Sequence, residues 1–172
     1  MFKPKFVDYD LEFKNLSWRS ATNSIVIHHT GNPTNDDLSA EDIHEMHLNN
    51  GWAGIGYHFV VRKNGEIELG RPVDCIGAHA EGHNYYTVGI HLSGNFEIGY
   101  PTTEQIESAA VLVAWLCERY DLLCNDNNVF GHCDLMATAC PGENLYNELP
   151  TIIGKANWYQ QHYESGEYDG KD

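Results

Sequence analysis

A short run of branched apolar residues, SIVIHH at positions 24–29, constrains the fold of this chain more than any other segment. Its apolar residues are continuous rather than alternating, which is typical of a strand that is buried on both faces. The residues that follow, Thr30-Gly31-Asn32-Pro33, end the run. The segment therefore predicts a central strand in a sheet that carries other layers on both of its faces.

Strand and helix signals are mixed along the rest of the chain. Further strands are predicted at 57–62, 66–69, 87–94 and 128–131, with a hairpin turn at Asn64-Gly65. Capping pairs predict helices that begin after Ser39 and Thr102, and a last helical region starts near Glu143 and is kinked or restarted at Pro150. This order predicts an α/β fold, a single domain with a mixed central β-sheet flanked by helices.

The chain of 172 residues has the length of one domain. We expect an N-terminal arm over residues 1–23, a catalytic core domain over 24–155, and an acidic polar tail over 156–172 whose end, QQHYESGEYDGKD, frays or is disordered. No stretch approaches the roughly 20 apolar residues that a membrane span requires.

The balance of charge excludes one class of partner. The chain has 25 acidic and 10 basic residues and a net charge of -15. Nucleic acid is therefore not expected as the main partner, because phosphate contacts require clustered lysine and arginine.

The first residues, MFKPKFVDYDLEF, lack the apolar run of a signal peptide, so we expect a protein that is made in the cytoplasm and acts elsewhere after lysis or dedicated export.

Histidines are concentrated where strands end. His28, His29, His79, His83 and His132 fall at strand ends or in loops, where functional sites are usually built. His28 and His29 are neighbours on one strand, so their side chains point to opposite faces and at most one of them faces a given site. Both faces of this strand are apolar, so the pattern leaves open which one it is.

The segment GHCDLMATACPG, residues 131–142, adds two further metal-binding side chains. The imidazole of His132 and the thiolate of Cys140 are good zinc ligands, and with His28 they would make three protein ligands and one open position, as in a catalytic zinc site. A buried, unreactive cysteine is the common alternative. A structural zinc site, with Cys133 or His29 as a fourth ligand, is another. The five cysteines are odd in number, so at least one should be free or bound to metal.

Six strings, in order, resemble one known family, the zinc amidase superfamily of peptidoglycan recognition proteins and bacterial or phage N-acetylmuramoyl-L-alanine amidases. They are IVIHHT at 25–30, GWAGIGYHFVV at 51–61, NGEIELGR at 64–71, GAHAEGHN at 77–84, VGIHLSGNF at 88–96 and GHCDLMATACPGENLYNEL at 131–149. The resemblance implies Zn²⁺-dependent hydrolysis of the amide bond between N-acetylmuramic acid and L-alanine in bacterial peptidoglycan. The alternative is a recognition module that binds muropeptides without cutting them; the presence of Cys140 favours the enzyme.

The resemblance also implies roles for single residues. The metal ligands would be His28, His132 and Cys140, and the catalytic side chains Tyr57 and Thr138. His79 would line the cleft and, with Asn84, hold the sugar or the stem peptide of the substrate.

The sequence departs from the family pattern at two points, which bear on the catalytic residue and on the type of family member. His91 stands where some bacterial amidases have a catalytic glutamate, which favours Tyr57 as the catalytic group. No cysteine precedes Cys75, so the cysteine pair of animal recognition proteins is absent and the chain looks more like a bacterial or phage enzyme. Trp52 belongs either to the core or to the cleft wall, and we assign it to the core.

Overall fold

One mixed sheet of six strands forms the centre of the protein in a computed structural model that describes residues 3–165. The strands are β1 (Phe6–Val7), β2 (Ser24–His29), β3 (Phe59–Val61), β4 (Ile67–Leu69), β5 (Thr87–Leu92) and β6 (Val129–Gly131). Their spatial order is β1-β4-β3-β5-β2-β6. Strands β3 and β4 form an antiparallel hairpin, and the other pairings in the described sheet are parallel.

The described helices are α1 (Ala40–Asn49), α2 (Thr103–Arg119), α3 (Glu143–Tyr146) and α4 (Leu149–Ser165). The first two begin at the capping pairs that the sequence predicts. Both bonds of a capping box are present at Ser39 with Asp42 and at Thr102 with Gln105, which satisfies amides that a helix N-terminus otherwise leaves unpaired. Within residues 3–165, no helix is both long and apolar enough to cross a membrane.

Helices cover both faces of the sheet, as predicted. Apolar side chains of α2 and α4 pack with Ile25, Ile27 and their neighbours in one core. On the other face, Ala40 and Ile43 of α1 pack with Val60 of β3 in a smaller core. Every residue of β2 is buried, which confirms the continuous apolar run as a central strand.

Both ends of the described chain carry regular structure. Within the expected N-terminal arm, β1 pairs with β4 and the Phe6 ring packs 5.5 Å from the Phe59 ring. At the other end, α4 crosses the predicted boundary at residue 155 and continues to Ser165. The first residues of QQHYESGEYDGKD are therefore helical, and residues 166–172 lie outside the described part of the chain.

Topology brings the functional residues to one edge of the sheet. Strand β2 lies between β5 and β6 and is parallel to both. The carboxyl ends of these strands therefore meet at the same edge, where α/β proteins usually bind ligands. His28 lies near the end of β2, in register with His91 of β5, and His132 directly follows β6.

Candidate metal centre

Three side chains from separate parts of the chain converge at this edge. His28, His132 and Cys140 each offer one ligand atom, and these atoms lie within 4.8 Å of one another. The distance between His28 Nδ1 and Cys140 Sγ is 3.5 Å. Zinc–nitrogen and zinc–sulfur bonds of about 2.1 and about 2.3 Å at a tetrahedral angle would separate two such atoms by about 3.6 Å. The structure thus brings the three predicted ligands together at a suitable spacing.

Local hydrogen bonds hold the two ligands that follow β6. His132 begins a 3-10 turn, which the Asp134 carboxylate closes by accepting a hydrogen bond from Gly131 N at 2.9 Å. The amide of Cys133 donates to the carbonyl oxygen of Cys140 at 2.9 Å. The sequence between the ligands is therefore a loop folded back on itself, which places Cys140 beside His132.

The three residues fit a divalent cation such as Zn²⁺. Nε2 of His132 is buried and has no hydrogen-bond partner among the described residues, and a buried polar atom of this kind normally has one. Two imidazoles and a thiolate are a donor set that zinc accepts readily. The backbone N–H of His29 donates to Cys140 Sγ at 3.4 Å, which favours the thiolate form that a metal requires.

The site has three protein ligands rather than four. Neither His29 nor Cys133 belongs to the ligand group found within residues 3–165. The ring of His29 lies on the opposite face of β2, where its Nδ1 accepts a hydrogen bond from Phe96 N at 3.1 Å. The strand pattern left open whether His28 or His29 faces the site. The structure shows that His28 faces the cluster. The arrangement also disfavours a structural zinc site, since a fourth protein ligand is missing from the described residues.

Burial controls the protonation of the ligand side chains. It holds the pKa of His28 well below its ordinary value, and the neighbouring His79 and His132 add to this effect. Burial also lowers the pKa of His132. The lone pairs of both imidazoles are therefore available to a cation at neutral pH. Burial raises the pKa of the Cys140 thiol to about 12, against the lowering effect of the His29 amide. A cation is needed to favour the thiolate there.

A cleft of about 400 Å³ opens beside the cluster. It is lined by His47, Trp52, Tyr57, Ala78, His79, Ala80, Glu81, Asn84, His132 and Met136. The assignment of Trp52 to the core is wrong, because its side chain is 43% exposed and forms part of this wall. His47, which no sequence motif marks, packs against Trp52 with ring centroids 4.5 Å apart. The signal that could have indicated it is its position on α1, one helical turn after the buried His44.

Tyr57 lies at the junction of the cleft and the ligand cluster. Its ring centroid is 5.0 Å from that of His28 and 4.8 Å from that of His91. Its hydroxyl makes no hydrogen bond to any described residue. Burial raises the pKa of Tyr57, and Cys140 adds to the rise. The phenol therefore keeps its proton and can donate it in a hydrogen bond.

The other predicted site residues make mainly internal contacts. Oγ1 of Thr138 accepts a hydrogen bond from Cys140 N at 3.2 Å, which stabilises the ligand loop. Oδ1 of Asn84 accepts from the amides of His79 and Ala80, both at 3.0 Å. His79 is 8% exposed, and its Nδ1 lies 2.8 Å from His28 Nε2. Substrate binding by His79 and Asn84 and catalysis by Thr138 stay predictions.

His91 lies beside Tyr57, with ring centroids 4.8 Å apart. Its Nε2 lies 2.9 Å from Thr30 Oγ1. Its Nδ1 is buried and has no partner within the described chain. Burial lowers the pKa of His91 to about 3, so the ring is neutral.

Fold and site together define an α/β protein with a His-His-Cys cluster that could hold a metal ion, and with an adjacent cleft, at the carboxyl ends of its parallel strands. Residues 18–143 match the model of the N-acetylmuramoyl-L-alanine amidase family. The chain belongs to this family.

Its relatives include a peptidoglycan-recognition protein, a phage endolysin and a bacterial amidase. Peptidoglycan-recognition protein SC2 of Drosophila melanogaster is 33% identical over 139 residues, which are 77% of this chain and 73% of that protein. The endolysin of Klebsiella phage KP32 is 31% identical over 143 residues, 77% of this chain and 92% of the endolysin. The solved structure of the N-acetylmuramoyl-L-alanine amidase LysC from Clostridium intestinale is similar with a TM-score of 0.79, at 35% identity over 88% of this chain and 99% of LysC.

Proposed function

We propose that this protein is a zinc-dependent N-acetylmuramoyl-L-alanine amidase, which hydrolyses the bond between N-acetylmuramic acid and L-alanine in bacterial peptidoglycan. The observation that carries the proposal is the convergence of three ligand atoms within 4.8 Å of one another, beside a cleft that His132 also lines. Membership of the amidase family supports the reaction. Its route to the cell wall, by lysis or by dedicated export, stays a prediction.

The residues of the site have different roles in the proposed reaction. His28 Nδ1, His132 and Cys140 Sγ would hold Zn²⁺, which when bound supplies a Lewis acid that activates water and polarises an amide carbonyl. Tyr57 would donate a hydrogen bond to the oxygen on which negative charge develops. A proton released by the attacking water would reach the departing amine through the Tyr57 hydroxyl, which takes up one proton as it gives up another and so ends protonated. Thr138 accepts from Cys140 N and keeps its own proton to donate to the same oxygen.

A muropeptide-binding module without catalysis is the second candidate, and the similarity to the recognition protein of Drosophila melanogaster favours it. Such a module needs the cleft but not the ligand atoms. Cys140 therefore discriminates between the two functions, since a thiol buried beside two histidines has no evident part in binding a sugar or a peptide.

The test is digestion of purified peptidoglycan, with the products identified by mass spectrometry. The proposal expects stem peptides that start with L-alanine and glycan strands freed of peptide. Cys140→Ser should abolish this release and weaken zinc binding markedly. Cys133→Ser is the matched control and should keep both, because Cys133 lies outside the ligand group. Normal turnover in zinc-stripped Cys140→Ser protein would end the metalloenzyme proposal; tight muropeptide binding without release would favour the binding module.

A second pair of variants tests the strand assignment. His28→Ala should lose zinc, whereas His29→Ala should keep it and lose stability, because the His29 ring accepts the buried Phe96 amide. The opposite result, with zinc lost only from His29→Ala, would invert the assignment.

A further inference from the structure

A chain of buried hydrogen bonds runs from His28 away from the metal cluster. His28 Nε2 lies 2.8 Å from His79 Nδ1, and His79 Nε2 lies 3.2 Å from Thr87 Oγ1. The Thr87 hydroxyl donates to the carbonyl oxygen of His83 at 2.7 Å. All three side chains in the chain are buried.

The carbonyl at the far end fixes the direction of every bond in this chain. A carbonyl oxygen only accepts, so the single proton of the Thr87 hydroxyl is used there. Thr87 Oγ1 can therefore only accept from His79, which places a proton on His79 Nε2. The His79 ring is buried and neither of its nitrogens contacts a carboxylate, so the neutral ring carries one proton and its Nδ1 is an acceptor.

The last bond of the chain then determines which nitrogen of His28 faces the metal position. Because His79 Nδ1 accepts, His28 Nε2 must carry the proton that is donated. The neutral His28 ring has its lone pair on Nδ1, the atom that lies 3.5 Å from Cys140 Sγ. In the other His28 tautomer, two lone pairs would face each other across 2.8 Å.

We propose that His79, oriented by Thr87 and the His83 carbonyl, is a positioning residue that fixes the tautomer and ring orientation of His28 for metal binding through Nδ1. The proposal rests on the zinc-dependent function proposed above. A ligand histidine whose second nitrogen donates to a protein acceptor is the arrangement that holds metal sites in place. Both ring nitrogens of His79 are engaged, which leaves neither for a substrate.

The surrounding backbone is shaped to hold the His79 ring. The Asn84 side chain fixes the loop by accepting from the amides of His79 and Ala80. A Cβ atom at Gly89 would lie 2.6 Å from His79 Cγ, and one at Gly77 would lie 2.7 Å from His79 Cδ2. Both distances are too short for any side chain. The motif GAHAEGHN is thus explained as a loop that supports a metal ligand.

The first test measures zinc affinity by competition with a chromophoric chelator. Thr87→Val removes the acceptor of the His79 proton, and His79→Phe removes the acceptor of the His28 proton. Both should weaken zinc binding on the order of 10- to 100-fold. Thr87→Ser keeps the hydroxyl and should bind zinc as the unmodified protein does. Thermal unfolding of the metal-free variants identifies any that fail to fold.

The second test reads the tautomer directly and needs neither turnover nor metal. Nitrogen-15 NMR of the metal-free protein should show His28 with a protonated Nε2 and an unprotonated Nδ1, and Thr87→Val should mix the two tautomers. A protonated His28 Nδ1 in the unmodified protein, or unchanged zinc affinity and tautomer in folded Thr87→Val, would overturn the inference and leave the proposed amidase intact. Conversely, a protein that shows the expected tautomer and zinc affinities but releases no peptide would refute the amidase alone.

Discussion

Tyr57 and Thr138 differ in how much of their hydrogen-bonding capacity is free to act on a substrate. The Tyr57 hydroxyl makes no hydrogen bond within the described structure, and its ring is held between His28 and His91. The Thr138 oxygen already accepts from Cys140 N. Both hydroxyl donors are unused, but a hydroxyl without a competing hydrogen bond is better suited to stabilise a transition state than one whose oxygen is already committed to a turn.

We therefore predict that Tyr57→Phe loses more activity than Thr138→Ala. The loss of one donor to a developing oxyanion typically lowers turnover on the order of 100- to 1,000-fold, and Thr138→Ala should cost less. The measurement is turnover of a muramoyl-peptide by chromatography, with the zinc content of each variant determined in parallel. Near-normal turnover of Tyr57→Phe with zinc retained would remove Tyr57 from the mechanism, and His91 would be the next side chain to test.

Sequence patterns predict candidate ligands but not the atoms that they would use. His132 and Cys140 could be predicted because an imidazole and a thiolate are good zinc ligands, and because the resemblance to the amidase family implies these two together with His28. The strand pattern shows only that at most one of His28 and His29 faces the site. The three-dimensional structure is needed to show that it is His28. The contacts of His79 could not be predicted, because they depend on a buried hydroxyl, Thr87, that no motif distinguishes from an ordinary strand residue.

Among the elements, β1 was missed because it is too short to show a period. Phe6 and Val7 are two apolar residues in a polar stretch, whereas a strand pattern needs about four residues to be recognised. What makes them a strand is a partner distant in sequence, since they pair with Ile67 and Glu68 of β4. The longer elements, β2, α1 and α2, carried their own signals in apolar runs and capping pairs, and these predictions are confirmed.

The pairing of β1 predicts that the first residues contribute to stability. The Phe6 ring lies 5.5 Å from Phe59 and 5.4 Å from Trp115. Phe6→Ala should lower the free energy of unfolding by about 1–3 kcal/mol, less than for a fully buried phenylalanine because Phe6 is only half-buried. Urea denaturation measures this, with Tyr100→Ala as the control because Tyr100 is 75% exposed. A change within about 0.5 kcal/mol for Phe6→Ala would show that β1 adds little to the fold.

At the scale of the whole molecule, histidines are part of the interior as well as of the site. Six of them are buried among the described residues: His28, His29, His44, His58, His79 and His91. His58 shows how such a ring is accommodated away from the ligand cluster. Its Nε2 donates to the Cys75 carbonyl at 2.8 Å, and its Nδ1 accepts from Gly89 N at 2.9 Å. Composition gives the number of histidines, but only the fold shows that burial keeps a ring such as His58 neutral.

Buried neutral histidines make the stability of the protein depend on pH. Burial lowers the pKa of His58 to about 3 and that of His47 to about 4, whereas an unfolded chain has a histidine pKa of about 6.5. Between these values the unfolded state binds more protons than the folded state. The free energy of unfolding must therefore fall as the pH is lowered through about 6.5, by up to about 1.4 kcal/mol per pH unit for each such histidine.

Urea denaturation of chelator-treated protein from about pH 5 to about pH 8 should reveal this dependence, because that window lies above the ordinary pKa of carboxyl groups. His58→Gln replaces the ring by an amide that can also donate and accept, and it removes one titrating group. Its stability should therefore fall less steeply than that of the unmodified protein below about pH 6.5, by up to about 1.4 kcal/mol per pH unit. Above about pH 7.5 this histidine is neutral in both the folded and the unfolded protein. The plots of unfolding free energy against pH for the variant and the unmodified protein should therefore run parallel there. Equal slopes for the two proteins at about pH 5 to 6 would show that His58 titrates alike in the folded and unfolded states, contrary to the burial and hydrogen bonding of its ring.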